Sequence, residues 1–428
     1  VVMVDLMVGE QQSGAADKGV PAGFKMTEVG VIPQDWDVKP LKELCQLKSG
    51  LGITSKYIDD FGNYPCYGGN GIRGFTNSFT HRGEYALIGR QGALCGNIQY
   101  VEGDFFASEH ALVATMQSGV NARWLSIYLE KMNLNQYSES SAQPGLSAEK
   151  LNVLNIITPP EQEQQIISNT ISDISNFIYE LKTLIVKKQS IKTATMQQLL
   201  TGKTRLPQFV LRKDGSIKGY KKSELGMIPE DWIITNIGQF TDCCAGGTPS
   251  TKVSVYWGGT HPWMSSGELH LKQVYTVADN ITDEGLANSS TKYVPKNSVL
   301  VGLAGQGKTR GTVAINRIEL CTNQSIAAIF PSEHHSTEFL FYNLDNRYEE
   351  LRSLSTGDGG RGGLNLTIIR KLHLAFPPKE EQTAIAAILS DMDKDIQTLQ
   401  QRLDKTRQLK QGMMQELLTG KTRLIERN

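Results

Sequence analysis

Residues 299–311 read VLVGLAGQGKTRG, and Gly302, Gly307, Lys308 and Thr309 satisfy the spacing G-x-x-x-x-G-K-[ST] of a phosphate-cradling loop. That chemistry needs a strand before the loop and a helix after it, so that the helix N-terminus faces the anion. SVLVGL supplies the strand. RGTVAINRIEL, which follows, carries Gly311 and alternating β-branched residues and predicts a second strand. FLFYNLD (339–345), the nearest candidate for a downstream metal-binding aspartate, reads as a helix. Nucleotide hydrolysis is therefore not expected. Gly357, Gly359 and Gly362 in TGDGGRGG fit G-x-G-x-x-G, but they follow a predicted helix, whereas a dinucleotide fingerprint ends a strand and opens a helix. A flexible turn is expected there. No H-E-x-x-H, G-x-S-x-G or Cys/His metal spacing occurs.

The elements that position these residues are written twice. GFKMTEVGVIPQDW (23–36) returns as GYKKSELGMIPEDW (219–232), PPEQEQ (159–164) as PPKEEQ (377–382), and LLTGKTRL (199–206) letter for letter at 417–424. The first pair is offset by 196 residues and the other two by 218, so the second half is longer inside its globular part. The first-half counterpart of the phosphate-loop match is ALIGRQGALCGNI (86–98), which keeps strand, glycine turn and strand but has no Lys-Thr. WLSIYLE (124–130) likewise answers FLFYNLD, and SSAQPGLS (140–147) answers the second glycine cluster.

After each Pro-Pro step, apolar residues recur at alternating steps of four and three, the pattern of a coiled-coil seam. They are Ile167, Ile171, Ile174, Ile178, Leu181 and Ile185 in the first copy, and Ile385, Leu389, Met392, Ile396, Leu399 and Leu403 in the second. A helix of this length would run about 60 Å at its rise per residue. The prolines suit first-turn positions, and Gly202 and Gly420 suit helix stops. Lys188 and Lys192, and Thr406 and Lys410, break the seam, so that stretch is either hydrated or a docking place for another protein's helices. Trp36 and Trp232, at matching positions, are expected to be core anchors.

Lys and Arg total 44 and so do Asp and Glu, giving no net charge, whereas a protein that binds DNA unaided carries a basic excess. No apolar run approaches the roughly 20 residues that span a bilayer. VVMVDLMVGE at the start is expected to be neither signal peptide nor anchor. Cys45, Cys66, Cys95, Cys243, Cys244 and Cys321 form no C-x-x-C pair and are expected to be buried thiols of a cytoplasmic protein.

The twin PPxxEQ and LLTGKTRL blocks, GGTPSTKVSVYWGGTHPW (246–263), YGGNGIRGFT (67–76) and IGRQGA (88–93) together resemble the DNA-specificity subunits of Type I restriction–modification systems. The resemblance runs from about residue 23 to 424. It implies an α+β fold with two β-rich target-recognition domains in pseudo-twofold repeat, separated by two long antiparallel coiled-coil helices. The corresponding boundaries are an N-terminal extension (1–22), a first recognition domain (23–158), a central helix (159–206), a linker (207–222), a second recognition domain (223–376) and a C-terminal helix (377–424). The resemblance further implies that each domain reads one half of a split double-stranded DNA site and that the chain itself has no catalytic centre or cofactor. Two methyltransferase subunits would supply S-adenosylmethionine chemistry at adenine N6, and restriction (translocase) subunits, where present, would use ATP and Mg. The Pro-Pro steps read TPPE and FPPK, not the Asn/Asp/Ser-Pro-Pro-aromatic site of an adenine methyltransferase.

Base-reading residues are expected on the Gly-rich turns. They are Asn70, Arg73, Arg90 and Gln91 among Tyr67, Phe75 and Phe79 in the first domain, and Ser265, Ser266, Gln306, Lys308 and Arg310 in the second. Arg suits guanine, and Asn or Gln suits adenine. The domains differ between their shared blocks, so the two half-sites should differ. The helices would act as a ruler for a spacing near one DNA turn, about 34 Å. The competing reading is a stand-alone DNA-binding or scaffold protein with a coiled-coil spacer.

Overall fold

Val299–Gly302 pairs antiparallel with Val313–Asn316, Val299 opposite Ile315, so the Gly-rich turn joins two strands, as RGTVAINRIEL predicts. Both strands are buried throughout, which fits their unbroken apolar sequences. The structure, a computed structural model, describes residues 20–92, 94–138, 145–305, 307–354 and 363–424. Gln306, the cluster Gly357, Gly359 and Gly362, most of SSAQPGLS and residues 1–19 of the N-terminal extension lie outside the described residues.

The chain forms two units, one reaching to Leu181 and resuming at Arg402, the other spanning Lys182–Gln401. Each long helix contributes to both units. The helices are Glu161–Leu199 and Lys379–Leu417, each 39 residues long and each starting directly after a Pro-Pro step. Ile167 and Ile171 pack in the first unit's core with Trp36, Leu151, Leu417 and Leu418. Ile385 and Leu389 pack in the second unit's core with Met196, Leu199, Leu200 and Trp232. The seam therefore begins inside globular cores.

Within each unit the two helix segments run antiparallel. In the first, Glu163 meets Arg423 and Phe177 meets Arg402. In the second, Lys188 Nζ donates to Asp395 at 2.6 Å and Lys192 Nζ to Asp393 at 2.5 Å. Lys188 and Lys192, which break the seam in the first helix, are thus ion-paired.

In the first unit, six strands lie in the order Cys45–Ser49, Ala111–Met116, His81–Gly89, Ile98–Ala107, Tyr64–Gly68 and Gly71–Thr76. All neighbours are antiparallel except Tyr64–Gly68 with Ile98–Ala107. The helix Ala122–Met132 buries Trp124, Leu125 and Leu129 beneath this sheet. The second unit splits the same plan into a five-stranded sheet around Val299–Gly302 and a four-stranded sheet around Trp257–Met264 and Leu320–Thr322. FLFYNLD is helical there, within Thr337–Asn346.

The repeated blocks converge on one ion network in each unit. Arg423 of the terminal TGKTR donates to Asp35 at 2.9 Å through each of its two terminal nitrogens, and to Glu163 of PPEQEQ at 2.8 and 2.7 Å. Trp36 Nε1 donates to the same Glu163 at 2.9 Å. In the second unit Arg205 joins Asp231 and Glu381, and Trp232 Nε1 donates to Glu381 at 3.1 Å. Both tryptophans are fully buried, as core anchors should be. Hydrogen bonds from Arg423 hold the Asp35 carboxyl below its ordinary range.

The glutamine of each PPxxEQ block does a separate job. Gln164 Nε2 donates to Pro159 O and its Oε1 accepts from Asn121 N, both at 2.9 Å. Gln382 does the same with Pro377 O and Ser336 N, again at 2.9 Å. Asn121 and Ser336 cap the two shorter helices. Gly202 and Gly420 end the long helices at φ +71° and +70°; a Cβ there would meet Pro229 at 2.5 Å and Pro33 at 2.4 Å. Only glycine fits both the turn and that contact.

Candidate nucleic-acid interface

Close backbone approaches build the loop end of the first unit's sheet. A Cβ on Gly89 would lie 2.1 Å from Gly69 O, and one on Gly50 would lie 2.3 Å from Ala107 O. Glycine at these points lets the turns 49–53, 68–71, 89–97 and 107–111 meet.

The four polar residues expected there are brought together. Arg90 Nη1 donates to Ser49 Oγ at 2.9 Å. Gln91 Oε1 lies 3.3 Å from His110 Nδ1, and His110 Nε2 lies 3.2 Å from Glu109 Oε1. Asn70, at the hairpin tip, accepts from Asn97 Nδ2 at 3.5 Å. Arg73 lies on the edge strand Gly71–Thr76 and covers Gly68, where a Cβ would meet its Cδ at 2.4 Å. Burial pushes against ionisation of Glu109, but the N–H groups of Glu109 and Ile53 and the charges of His110 and Arg73 outweigh it, and its carboxyl stays below the ordinary range.

Tyr67 is half-buried with its ring edge against Phe105, so burial raises its hydroxyl pKa. Phe79 lies 5.1 Å from the ring of Tyr64 beneath the Arg82 guanidinium.

The second unit repeats the frame bond for bond. Arg90 N donates to His110 O at 2.9 Å, as Leu303 N does to Ser325 O at 2.8 Å. Gly96 N donates to Gly89 O at 2.7 Å, as Gly311 N does to Gly302 O at 2.9 Å. Leu51 N donates to Ala107 O at 2.9 Å, as Gly247 N does to Thr322 O at 2.8 Å. The side chains on this shared frame differ: Arg90 is answered by Leu303, which is buried.

Two of the second-domain residues sit in constrained places. Arg310 is only 8% exposed. Ser265 caps a short 3-10 helix: its N–H donates to Glu268 Oε2 at 2.9 Å and its side chain accepts from that helix. Ser266 Oγ accepts from Asn323 Nδ2 at 3.4 Å and stays at the loop end. Lys308 is exposed, on a loop whose carbonyls take Tyr348 OH at 3.0 Å and Arg352 Nη1 at 2.7 Å.

Sequence reading missed Ser49, Asn97, Glu109 and His110 in the first unit and Asn323 and Gln324 in the second. No signal marks them, because Ser-Glu-His-Ala (108–111) and Asn-Gln-Ser-Ile (323–326) share no residue at matching positions.

Among the described residues no group of His, Cys, Asp and Glu could hold a metal, and no helix is long and apolar enough to cross a membrane. The six cysteines are free thiols, and burial lifts Cys45 to about 12 and Cys243 and Cys321 to about 11. These three are poorly placed to act as nucleophiles.

Residues 33–192 and 229–407 match the family described as Type I restriction modification DNA specificity domain. The chain is 45% identical over 130 residues to the Type I restriction enzyme EcoprrI specificity subunit of Escherichia coli, a match covering 29% of this chain and 32% of that protein. It is 24% identical over 417 residues to the MjaVIII specificity subunit of Methanocaldococcus jannaschii, covering 93% and 95%. The crystal structure of a Type I restriction–modification S subunit from M. genitalium shares the fold with a TM-score of 0.60 at 13% identity, over 89% of this chain and 96% of that one. A chain from a Type I R-M assembly study gives 0.53 at 16% identity, over 91% and 99%.

Proposed function

This chain belongs to the Type I restriction modification DNA specificity family, and we propose that its two units each read one half of an asymmetric, bipartite site in double-stranded DNA. One observation carries the reading: the same glycine-built loop frame occurs twice with different side chains upon it. A shared frame offers the same approach to a groove, and different side chains select different bases. Asn70, Arg73, Arg90 and Gln91 serve the first half-site, and Ser266 and Lys308 the second, Lys308 as a phosphate contact.

The chain acts as a non-catalytic subunit. Methyltransferase subunits dock on the long helices and bring S-adenosylmethionine to adenine, while ATP and Mg belong to restriction subunits where these are present. Zero net charge suits a reader whose partners supply much of the phosphate attraction. Free thiols, buried except for the partly exposed Cys244, suit a cytoplasmic setting. The length of the two helices sets the number of unread bases between the half-sites.

The test is DNA affinity against salt for the chain alone and with its methyltransferase subunits. The proposal expects weak binding alone and tight, site-selective binding in the complex. Tight, strongly salt-dependent binding by the chain alone would favour a stand-alone DNA-binding protein.

A further inference from the structure

Beside the expected readers, one further position recurs in both units with a polar side chain on it. The turn after Ile98–Ala107 holds Glu109, and the turn after Leu320–Thr322 holds Gln324. Their backbone bonds coincide. Ser108 N donates to Tyr67 O at 2.8 Å, as Asn323 N does to Met264 O at 3.0 Å; Ala111 N donates to Ser108 O at 3.0 Å, as Ile326 N does to Asn323 O at 3.3 Å.

The neighbouring segment steadies each side chain from one side. Ile53 N donates to Glu109 Oε2 at 3.3 Å, and Thr248 Oγ1 donates to Gln324 Oε1 at 2.5 Å. Those two segments themselves correspond, through the matched bonds of Leu51 and Gly247. Glu109 Oε1 also lies 3.2 Å from His110 Nε2, yet Glu109 keeps 40% of its side chain exposed and Gln324 is exposed, so both heads can be reached from solvent.

The two heads have different recognition chemistry. An ionised carboxylate only accepts hydrogen bonds and suits the cytosine N4 amine. A carboxamide accepts and donates side by side and suits adenine N6 and N7. A head oriented by a bond from behind loses less freedom on meeting a base.

Resting on the reading of the units as half-site readers, we propose that this shared position specifies one base in each half-site, Glu109 selecting cytosine and Gln324 selecting adenine. Thr248 is then a positioning residue for Gln324.

The experiment exchanges the heads, Glu109→Gln and Gln324→Glu, in the full chain with its methyltransferase subunits, and maps N6-methyladenine across a genome. The expected result is a change at one position of the matching half-site, cytosine to adenine or the reverse, with the other half-site untouched. The preference shifts on the order of ten- to a hundred-fold. Thr248→Val blurs the same position as the Gln324 exchange, and Thr248→Ser restores it. A motif unchanged by both exchanges overturns the proposal. If an exchange abolishes methylation, Glu109→Ala and Gln324→Ala decide: degeneracy at one position supports the assignment. An unchanged motif, or uniform loss while the chain still copurifies with its partners, overturns it. A wild-type chain that yields no split motif would instead overturn the half-site reading itself.

Discussion

Arg90 and Leu303 stand at one point of the two loop frames, the first bonded to Ser49 at the loop end and the second buried. Arg90→Ala should therefore relax one base of the first half-site, by about 1–3 kcal/mol of discrimination, and leave the second half-site alone. A methylation map of the variant checks this. Lys308→Ala should weaken binding evenly across sequences and lower the salt slope by about one. His335 gives a pH dependence: burial first, then the charges of Lys379 and His334, lower it to about 4, and only Glu338 opposes. Folded His335 is neutral while the unfolded chain takes up a proton below about 6.5. Stability from this residue is thus present above that pH and lost as pH falls toward about 4, by up to ~3 kcal/mol. Urea unfolding of the wild type and His335→Gln between pH 7 and 4.5 should show the gap closing in the variant. At this scale sequence was a partial guide. Gly-rich turns advertise themselves through glycine's permitted close approaches, so the placement of Asn70 and Arg90 on turns at the loop end was legible. Glu109 and Gln324 follow ordinary strands, and only hydrogen bonding reveals that their turns correspond.

The repeated blocks turn out to be fasteners, one set per unit. Arg205 with Asp231 and Glu381, and Arg423 with Asp35 and Glu163, tie a helix end to a helix start and to the Trp-bearing hairpin. Glu381 has no exposed side-chain surface, so Arg205→Ala strands its charge and should cost about 3–5 kcal/mol of second-unit stability. Arg423→Ala also strands a nearly buried carboxylate, Glu163, but should cost somewhat less, because Arg423 is more exposed than Arg205 and Asp35, more than half exposed, is screened by water. Thermal unfolding followed in each variant measures both. Removing one heptad from each long helix should shorten the spacer and leave both half-sites intact, as a methylation map would show. The helix starts were legible to within two residues, since Pro-Pro fixes them, whereas the helices stop at Leu199 and Leu417, short of the expected 206 and 424 and just before the left-handed glycines Gly202 and Gly420. The roles of the Glu and Gln of PPxxEQ were not legible, because their partners Trp36, Asn121, Trp232 and Ser336 lie far away along the chain.

For the whole molecule, the duplicated order of elements was visible in the sequence, but the division into units was not. Periodicity marks each helix as one continuous object, whereas Ile167 and Ile171 are buried in one core and Met196, Leu199 and Leu200 in another. The family match spans both copies of the repeat, as a bipartite reader requires. Two frames with unlike side chains are the ground for the proposal that one chain reads two different half-sites. The most direct measurement is a genome-wide map of N6-methyladenine in cells holding the methyltransferase subunits, with and without this chain. The expected result is a split motif with two dissimilar halves that appears only when the chain is present. A palindromic motif, or methylation indifferent to the chain, would contradict it.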